Sequence, residues 1–501
     1  MSSAWKVLVC VAVFAVSAGC RGPESVSQVL ESLNPSSSPA PFSLNSVVPS
    51  RTGPGAKVKL VGTGFQSGAT VEVGGITAEV LSVSSTEILV KTPDLPQGDA
   101  SVKVVNPNGS ESELSGNAVH VSWVTLFASG NYHSCAVIDN SEVQCWGDNT
   151  HGQLGNGVDL QGLDPNQGGP NAVIVNNPVK VLGINSGVTK LAMGTSHTCA
   201  IINGAAKCWG RATQGQLGNN PNLGGMTNES APVGVAGLGA GVVDITTGAS
   251  HSCAVTNSGA AYCWGLGLSG ELGNGENDFK YVPSAVVGMD SGVEKIAASS
   301  SGWTCALKNG GVFCWGINGL GLGDGSLVGI VTQYDQIGTI QSNVPVQVTG
   351  LESGVTDLSV GSSNACAVQN GEVKCWGFNG YYHLANSTNV DAYFPKAASS
   401  LPSIPTQITM NAIAPCGLFS GGVKCWGINA GGSLGNGMPE SYVAQSPMDV
   451  SGLNSGVQSI VSGDIRTCAL KNGGLYCWGI GILRGGSTSN YFTPVVPDLI
   501  W

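Results

Sequence analysis

The sequence predicts an all-β protein in which a small β-sandwich precedes a seven-bladed β-propeller. Of the 501 residues, 75 are Gly, and short β-branched runs alternate with Gly, Pro and Asn turns, as is typical of tightly turned sheets. The tripeptide Cys-Trp-Gly occurs seven times between residues 145 and 479, at intervals of 50 to 63 residues. A segment that recurs between these units also ends the chain, as expected where a ring of repeats closes.

The composition excludes several classes of protein. The glycines lack the G-X-Y period of collagen, and 42% hydrophobic residues distinguish the chain from a disordered one. The formal net charge is −11, whereas nucleic-acid binding requires clustered Lys and Arg. We therefore expect no nucleic-acid partner.

Residues 1–20 have the pattern of an export signal, because Lys6 precedes the apolar run 7–16 and small residues follow it. The placement of Cys20 after Ala-Gly resembles the lipobox of bacterial lipoproteins, although Ser17 stands where that motif usually has an aliphatic residue. The resemblance implies an exported, cell-envelope protein, in the outer membrane or at the cell surface, whose only membrane contact is a lipid on Cys20. Ordinary secretion with Cys20 as a free thiol is the alternative.

Two different segments follow the export signal. Residues 21–40 are rich in Ser and Pro and predict a tether. Residues 41–121 contain alternating apolar and polar runs separated by turns, which predicts an antiparallel sandwich. The order of Gly-Thr-Gly-Phe at 62–65, Val-Gly-Gly at 73–75 and the later Pro and Asn turns resembles the IPT/TIG immunoglobulin-like domain. The resemblance implies a spacer or a binding module, and we expect a spacer.

Residues 122–501 consist of seven repeats. A full unit contains Pro-Val-x-Val, then Gly-Val, a first Cys, Cys-Trp-Gly and Gly-x-Leu-Gly, as seen over residues 178–219. This order resembles the regulator of chromosome condensation 1 repeat family, whose members form seven-bladed propellers. The first unit lacks Pro-Val-x-Val, and the chain ends with that segment at 493–496. We therefore expect the terminal segment to complete the first blade, which leaves no free sheet edge.

Hairpin pairing predicts one disulfide in each unit. Asn203-Gly204 is a two-residue turn signal, and pairing outward from it places Cys199 opposite Cys208, with the two Cα atoms about 4.5 Å apart. Two units have one more residue between their cysteines and a three-residue turn. Zinc sites place their cysteines closer together, so we expect no metal there. The predicted pairs are Cys135–Cys145, Cys199–Cys208, Cys253–Cys263, Cys305–Cys314, Cys366–Cys375, Cys416–Cys425 and Cys468–Cys477.

Neither the repeated Trp nor the repeated His predicts a catalytic or metal site. Each Trp of Cys-Trp-Gly points away from the side of its Cys, so we expect it to pack between blades, with a carbohydrate-stacking ring as the alternative. His133, His197 and His251 occupy one repeat position on three separate blades. We expect each to form a hydrogen bond within its own blade. No catalytic motif is present, and we predict no cofactor.

Long inserts follow Gly-x-Leu-Gly at 158–177, 326–343 and 384–404. Because they share one topological position, we expect them on one face of the disc, where loops of repeat proteins commonly bind partners. Packing of these loops on themselves is the alternative. The candidate binding residues are Leu327, Val328, Ile330, Tyr334, Tyr381, Tyr382, Tyr393 and Phe394.

The predicted function is non-enzymatic: a monomeric cell-envelope or surface protein that binds another, unidentified protein through loops on one face of a disulfide-bonded propeller. Family resemblance also implies guanine-nucleotide exchange on the GTPase Ran, which export disfavours. A further alternative is an unrecognised enzyme in the central pocket, which requires acid–base groups or metal ligands near the propeller axis.

Overall fold

The computed structural model describes residues 41–158, 174–220, 227–319, 322–324, 341–480 and 490–496. The predicted export signal, its Cys20 and the tether lie outside the described residues. The described part confirms the all-β prediction, because it contains 37 strands and the short 3-10 helix Ala430–Gly432 but no α-helix. No helix in it is long and apolar enough to cross a membrane.

The first domain is a sandwich of two sheets. Its strands are β1 (Ser43–Val48), β2 (Arg51–Thr52), β3 (Lys57–Thr63), β4 (Thr70–Val73), β5 (Ile76–Thr77), β6 (Glu79–Val83), β7 (Glu87–Lys91), β8 (Gly98–Val105) and β9 (Glu111–Val121). One sheet has the order β1-β3-β7-β6 and the other β2-β9-β8-β4-β5. Alternation along β3 and β8 buries Val58, Leu60, Val102 and Val104 in the core between the sheets.

The second domain consists of seven four-stranded antiparallel sheets, which confirms the seven-bladed propeller. Blade one contains β10 (Val124–Ser129), β11 (His133–Ile138), β12 (Glu142–Asp148) and β13 (Ile174–Lys180). Blade two contains β14 (Val188–Met193), β15 (His197–Ile202), β16 (Ala205–Gly210) and β17 (Glu229–Gly234). Blade three contains β18 (Val242–Thr247), β19 (His251–Thr256), β20 (Ala261–Gly265) and β21 (Lys280–Ala285).

The remaining blades repeat this arrangement. Blade four contains β22 (Val293–Ala298), β23 (Trp303–Lys308), β24 (Gly311–Ile317) and β25 (Gln341–Gln347). Blade five contains β26 (Val355–Val360), β27 (Asn364–Gln369), β28 (Glu372–Gly377) and β29 (Ala392–Ala397). Blade six contains β30 (Gln407–Thr409), β31 (Cys416–Phe419), β32 (Gly422–Ile428) and β33 (Val443–Asp449). Blade seven contains β34 (Val457–Ser462), β35 (Arg466–Lys471), β36 (Gly474–Ile480) and β37 (Asn490–Val495).

The predicted completion of blade one by the C-terminal segment is wrong. The terminal strand β37 pairs with β36 of its own blade, where Val495 lies opposite Cys477. Blade one is complete without it, because Val179 of β13 pairs with Cys145. The Pro-Val-x-Val segment is thus the outer strand of the preceding unit rather than the start of the next one. The ring closes by packing of blade seven against blade one, not by exchange of a strand.

Each blade contains one disulfide across its second and third strands, at the seven pairs predicted from the sequence. In blade two, Asn203 and Gly204 both have positive φ (51° and 77°), as a type I′ hairpin turn requires. This turn places Cys199 directly opposite Cys208, with a Cα–Cα distance of 4.1 Å. The longer turns of blades one and three keep their cysteines opposite one another as well.

The tryptophans of Cys-Trp-Gly pack between blades rather than facing solvent. Trp209 of blade two lies in one cluster with Cys135, Leu154 and Val181 of blade one. Its indole N–H donates to the carbonyl of Gln153 at 2.9 Å. The same bond joins Trp264, Trp315, Trp426 and Trp478 to the preceding blade. The inter-blade position predicted for these side chains is the observed one.

The disc has two faces of different construction. The hairpin face carries the turns between the second and third strands, such as 203–204. The insert face carries the loops between the first and second and between the third and fourth strands. The sandwich docks on the hairpin face, where Arg51 forms ion pairs of 2.8 and 2.7 Å with Asp139 and Glu142 of blade one. Asn472 of the blade-seven turn donates to Asp94 at 2.9 Å.

Candidate binding face

The sandwich contacts the hairpin face, which leaves the insert face as the candidate binding face. Exposed apolar side chains lie on it. They are Tyr132, Val158, Leu268, Tyr381, Val390, Met438 and Tyr442. Four of these seven belong to blades five and six, whose insert-face loops are described in full, whereas those of blades one, two, four and seven are described only in part.

The loop of blade five between β28 and β29 holds an aromatic cluster. The ring of Tyr381 is 43% exposed and packs edge-on against Phe378, with ring centroids 6.1 Å apart. His383 lies beneath both rings, 5.9 Å from Tyr381 and 5.4 Å from Phe378. One ring nitrogen of His383 interacts with the backbone of Ile413, and the other has no hydrogen-bond partner among the described residues. Burial lowers the pKa of His383 to about 4, so this imidazole is neutral near pH 7.

The same loop is strained where the other blades are not. Blades one and three place Gly at three positions of positive φ, at 152, 155 and 157 and at 270, 273 and 275. Blade five has Tyr382, Ala385 and Ser387 there instead, with φ of 64°, 48° and 62°. Every other described non-glycine residue with positive φ lies in a hairpin turn. Left-handed backbone costs a residue with a Cβ about 1–2 kcal/mol, so blade five departs from the repeat at a cost in stability.

The predicted binding residues do not all meet on this face. Tyr381 and Tyr382 lie in the blade-five loop, as expected for the insert face. Tyr393 and Phe394 do not, because they belong to β29, the outer strand of blade five, and face solvent at the rim of the disc. The stretch 384–404 thus contains the strand β29 (Ala392–Ala397) and is not a single inserted loop. Leu327, Val328, Ile330 and Tyr334 lie outside the described residues, as do most of the inserts 158–177 and 326–343.

A cavity of about 100 Å³ opens on the propeller axis at the insert face. It is lined by residues that end the innermost strands or follow them, among them Gly130, Gly194 and Gly248. Its one described carboxylate is Asp464, whose Oδ1 accepts a hydrogen bond of 2.8 Å from Ser300 across the axis. The described lining holds no second carboxylate, His or Cys beside it.

Hydrogen bonds at the repeated His position link neighbouring blades. Nε2 of His133 lies 2.7 Å from the hydroxyl of Thr198, and Nε2 of His197 lies 2.9 Å from that of Ser252. His251 contacts Thr304 of blade four in the same way. The predicted bonds within one blade are therefore wrong, because the ring nitrogen crosses to the next blade. Burial lowers the pKa of His133 and His197 to about 3, so both are neutral.

Comparison with protein families agrees with both domains. A model of the IPT/TIG domain matches residues 42–120. One model of the regulator of chromosome condensation (RCC1) repeat matches residues 124–153 and 242–271, and a second model of this repeat matches residues 141–201 and 203–255. The sandwich is an IPT/TIG domain, and the blades are RCC1 repeats. The resemblances inferred from the sequence are confirmed.

Known proteins share the RCC1 repeats over part of their length. The ultraviolet-B receptor UVR8 of Arabidopsis thaliana is 29% identical over a region that covers 57% of this chain and 60% of the length of the receptor. The human E3 ubiquitin-protein ligase HERC2 is 29% identical over 60% of this chain but 6% of its own. The chain therefore spans less than two thirds of these relatives. Yeast RCC1 (Prp20), solved bound to Kap60, aligns with a TM-score of 0.58 and 18% identity over 75% of this chain and 85% of its own.

One RCC1 repeat carries a buried acid that the sequence analysis missed. Glu271 of blade three occupies the position of Gln153 and Gln216 in Gly-x-Leu-Gly. Its carboxylate accepts a hydrogen bond of 2.8 Å from the backbone N–H of Ser269, and burial raises its pKa to about 7. The substitution of Glu for Gln between otherwise equal repeats is the signal that could have found it.

Proposed function

We propose that this protein is an exported, non-enzymatic binding protein whose insert face holds another protein. The observation that carries the proposal is the docking of the IPT/TIG domain on the opposite face, through Arg51 and the turns of blades one and seven. In this arrangement the sandwich acts as a spacer on the side of the disc away from the partner.

The chemistry of the insert face supports binding rather than catalysis. Its exposed apolar groups resemble the anchors of protein interfaces, which are enriched in Tyr and Met. The axial cavity, by contrast, offers one described carboxylate, which accepts a hydrogen bond from a serine. The repeated His residues are not part of its described lining, and they already contact hydroxyl groups of the neighbouring blades.

The seven disulfides support export. Disulfides form and persist in oxidising compartments outside the cytoplasm, and here all fourteen propeller cysteines are paired. The signal pattern at residues 1–20, with lipidation at Cys20, is the route that we propose for it.

Site-specific photo-crosslinking in the producing cells tests the proposal. A photoreactive phenylalanine at Tyr132 or Tyr381 probes the insert face of the full chain, and one at Leu182 or Val287, which are also exposed, probes the hairpin face. We expect a discrete crosslinked protein from the insert-face positions alone. Adducts from the hairpin face alone, or from neither face, contradict the proposal.

A further inference from the structure

We propose that the partner presents a basic surface with an apolar anchor, and that it docks on the part of the insert face formed by blades five to seven, beside Tyr381. We call this part the acidic sector. It comprises the described residues 361–363, 378–391, 411–413, 429–442 and 463–465. Residues 481–489 between β36 and β37, which include Arg484, lie outside the described residues. The inference rests on the proposed function, because it names the chemistry of the partner that the insert face binds.

The acidic sector carries three carboxylates, and the cation nearest to it in the sequence is the buried Arg466, two residues after Asp464. The acidic sector contains Asp391, Glu440 and Asp464 but no Lys or Arg. Each of the three carboxylates accepts a hydrogen bond from a neutral group: the N–H of Asn379, the N–H of Gly431 and the hydroxyl of Ser300. None forms an ion pair with a described residue.

Three lysines of the same blades lie at the opposite face. Lys374 and Lys424 stand three residues after the two-residue turns of blades five and six, and Lys471 directly precedes that of blade seven. Lys424 pairs with Asp449, and Lys471 donates to the carbonyl of Gly452. Lysine is thus segregated from the acidic sector, which leaves a surface complementary to cationic partners.

The acidic sector also provides apolar contact area. Val390 is 68% exposed, and Tyr381, Met438 and Tyr442 are each more than a third exposed. Aromatic and Met side chains at the centre of an interface, surrounded by charge, are the usual arrangement of a binding hot spot. Tyr381 is the best placed of them, because Phe378 and His383 hold its ring from below.

Two features distinguish the blade-five loop from the corresponding loops of the other described blades. Tyr382, Ala385 and Ser387 keep left-handed backbone where other repeats use Gly. The fully buried His383 has the backbone of Ile413 as a neighbour of one ring nitrogen and no hydrogen-bond partner among the described residues at the other. Strained backbone and unsatisfied buried polar groups cluster at binding sites.

Selection from a phage library of random 12-residue peptides against the purified, oxidised full chain tests the inference. We expect enriched peptides to combine Lys or Arg with an aromatic or aliphatic residue. Their Kd should rise at least threefold between 50 and 300 mM NaCl because salt screens exposed charges. Tyr381→Ala should weaken binding at least about tenfold, and the pair Asp391→Asn with Glu440→Gln at least about fivefold.

Matched changes on the hairpin face provide the control. Ile404→Ala removes an exposed apolar group there, and Glu294→Gln with Glu372→Gln removes two exposed carboxylates. These variants should bind the peptides as the unchanged chain does. Val390→Ser is a second probe of the acidic sector should Tyr381→Ala lower the melting temperature.

The outcomes separate this inference from the proposed function. Enriched peptides that are neutral or acidic, yet compete with crosslinking from Tyr381, overturn the basic partner and leave the binding face intact. Peptides whose binding responds to the hairpin-face changes alone overturn both proposals. If no peptide is enriched on this protein relative to an unrelated disulfide-bonded protein, the proposed binding of a basic partner to the acidic sector is wrong. The crosslinking result then decides the proposed function.

Discussion

Nη2 of Arg466 in blade seven donates a hydrogen bond of 2.7 Å to the backbone carbonyl of Asn131 in blade one. Nη1 of the same guanidinium lies 3.3 Å from the hydroxyl of Ser134. Arg466 is almost fully buried, and burial lowers its pKa to about 10, so it remains charged. It occupies the repeat position of His133, and at this one junction the longer side chain joins the last blade to the first.

Arg466→Ala should weaken the closure of the ring. The change removes two inter-blade hydrogen bonds and leaves a cavity, so we expect the free energy of unfolding to fall by about 2–4 kcal/mol. Hydrogen exchange should rise first in β10, β11 and β35. Arg211→Ala, on the surface of blade two, is the control. Equal exchange in all blades would contradict a specific closing role.

His251→Asn should flatten the loss of stability in acid. Burial lowers the pKa of His251 to about 4, so between pH 6.5 and 4 the unfolded chain takes up a proton that the folded chain excludes. This stability is present above pH 6.5 and is lost as the pH falls. Removing the imidazole should reduce the slope of the free energy of unfolding against pH, measured by urea unfolding between pH 4 and 6.5, by about 1.4 kcal/mol per pH unit. Thr304→Val breaks the same contact without removing a titrating group, and should leave the slope unchanged.

Glu271→Gln should stabilise the protein above neutral pH. Because the folded-state pKa is raised to about 7, the carboxyl costs no stability below pH 4.5 and a growing amount as the pH rises to 7. Gln, which blades one and two have here, cannot ionise. We expect a gain of roughly 2–3 kcal/mol at pH 8 and none at pH 4. The exposed Glu372→Gln should show neither effect, and a gain equal at both pH values would refute the explanation.

Gly218→Ala should destabilise the boundary of blades two and three. Gly218 has a φ of 65°, and a Cβ there would lie 2.8 Å from the indole of Trp264. We expect a loss of about 1–3 kcal/mol in thermal unfolding. Ala385→Gly is the reverse change at the equivalent position of blade five and should be neutral or stabilising by up to about 1 kcal/mol. A clear loss from Ala385→Gly would mean that its loop is not strained.

Replacing Cys199 and Cys208 with Ser should lower the free energy of unfolding by about 2.5–3 kcal/mol, because the disulfide closes a loop of nine-residue separation. Peptide mapping without reduction should then find the other six pairs intact. Links between blades in the unchanged protein would contradict the pairing.

The sequence could predict features that depend on local pairing. A two-residue turn such as Asn203-Gly204 determines which residues face each other, and so it determined the disulfide of its blade. The inter-blade position of the Trp209 side chain follows from its place next to Cys208, because neighbouring residues of a strand point to opposite faces of the sheet. These relations hold within ten residues and need no knowledge of the ring.

Features that depend on where a repeat begins could not be predicted. A cyclic array can be divided at any point of its unit, and the sequence of 493–496 does not distinguish an inner strand from an outer one. Its pairing with β36 follows from strand order in three dimensions. For the same reason, Tyr393 was predicted to lie in a loop but belongs to β29. The hydrogen bond of His197 was predicted within its own blade but reaches Ser252 of the next blade.

Every blade is a single uninterrupted stretch of chain with a disulfide between residues nine or ten positions apart. During synthesis or export, therefore, each hairpin can oxidise before the next blade emerges, and no cysteine has to wait for a distant one. Assembly can proceed blade by blade from the N-terminal end, and mispaired intermediates are disfavoured by proximity alone. Only the last step, the contact of Arg466 with blade one, spans the whole ring.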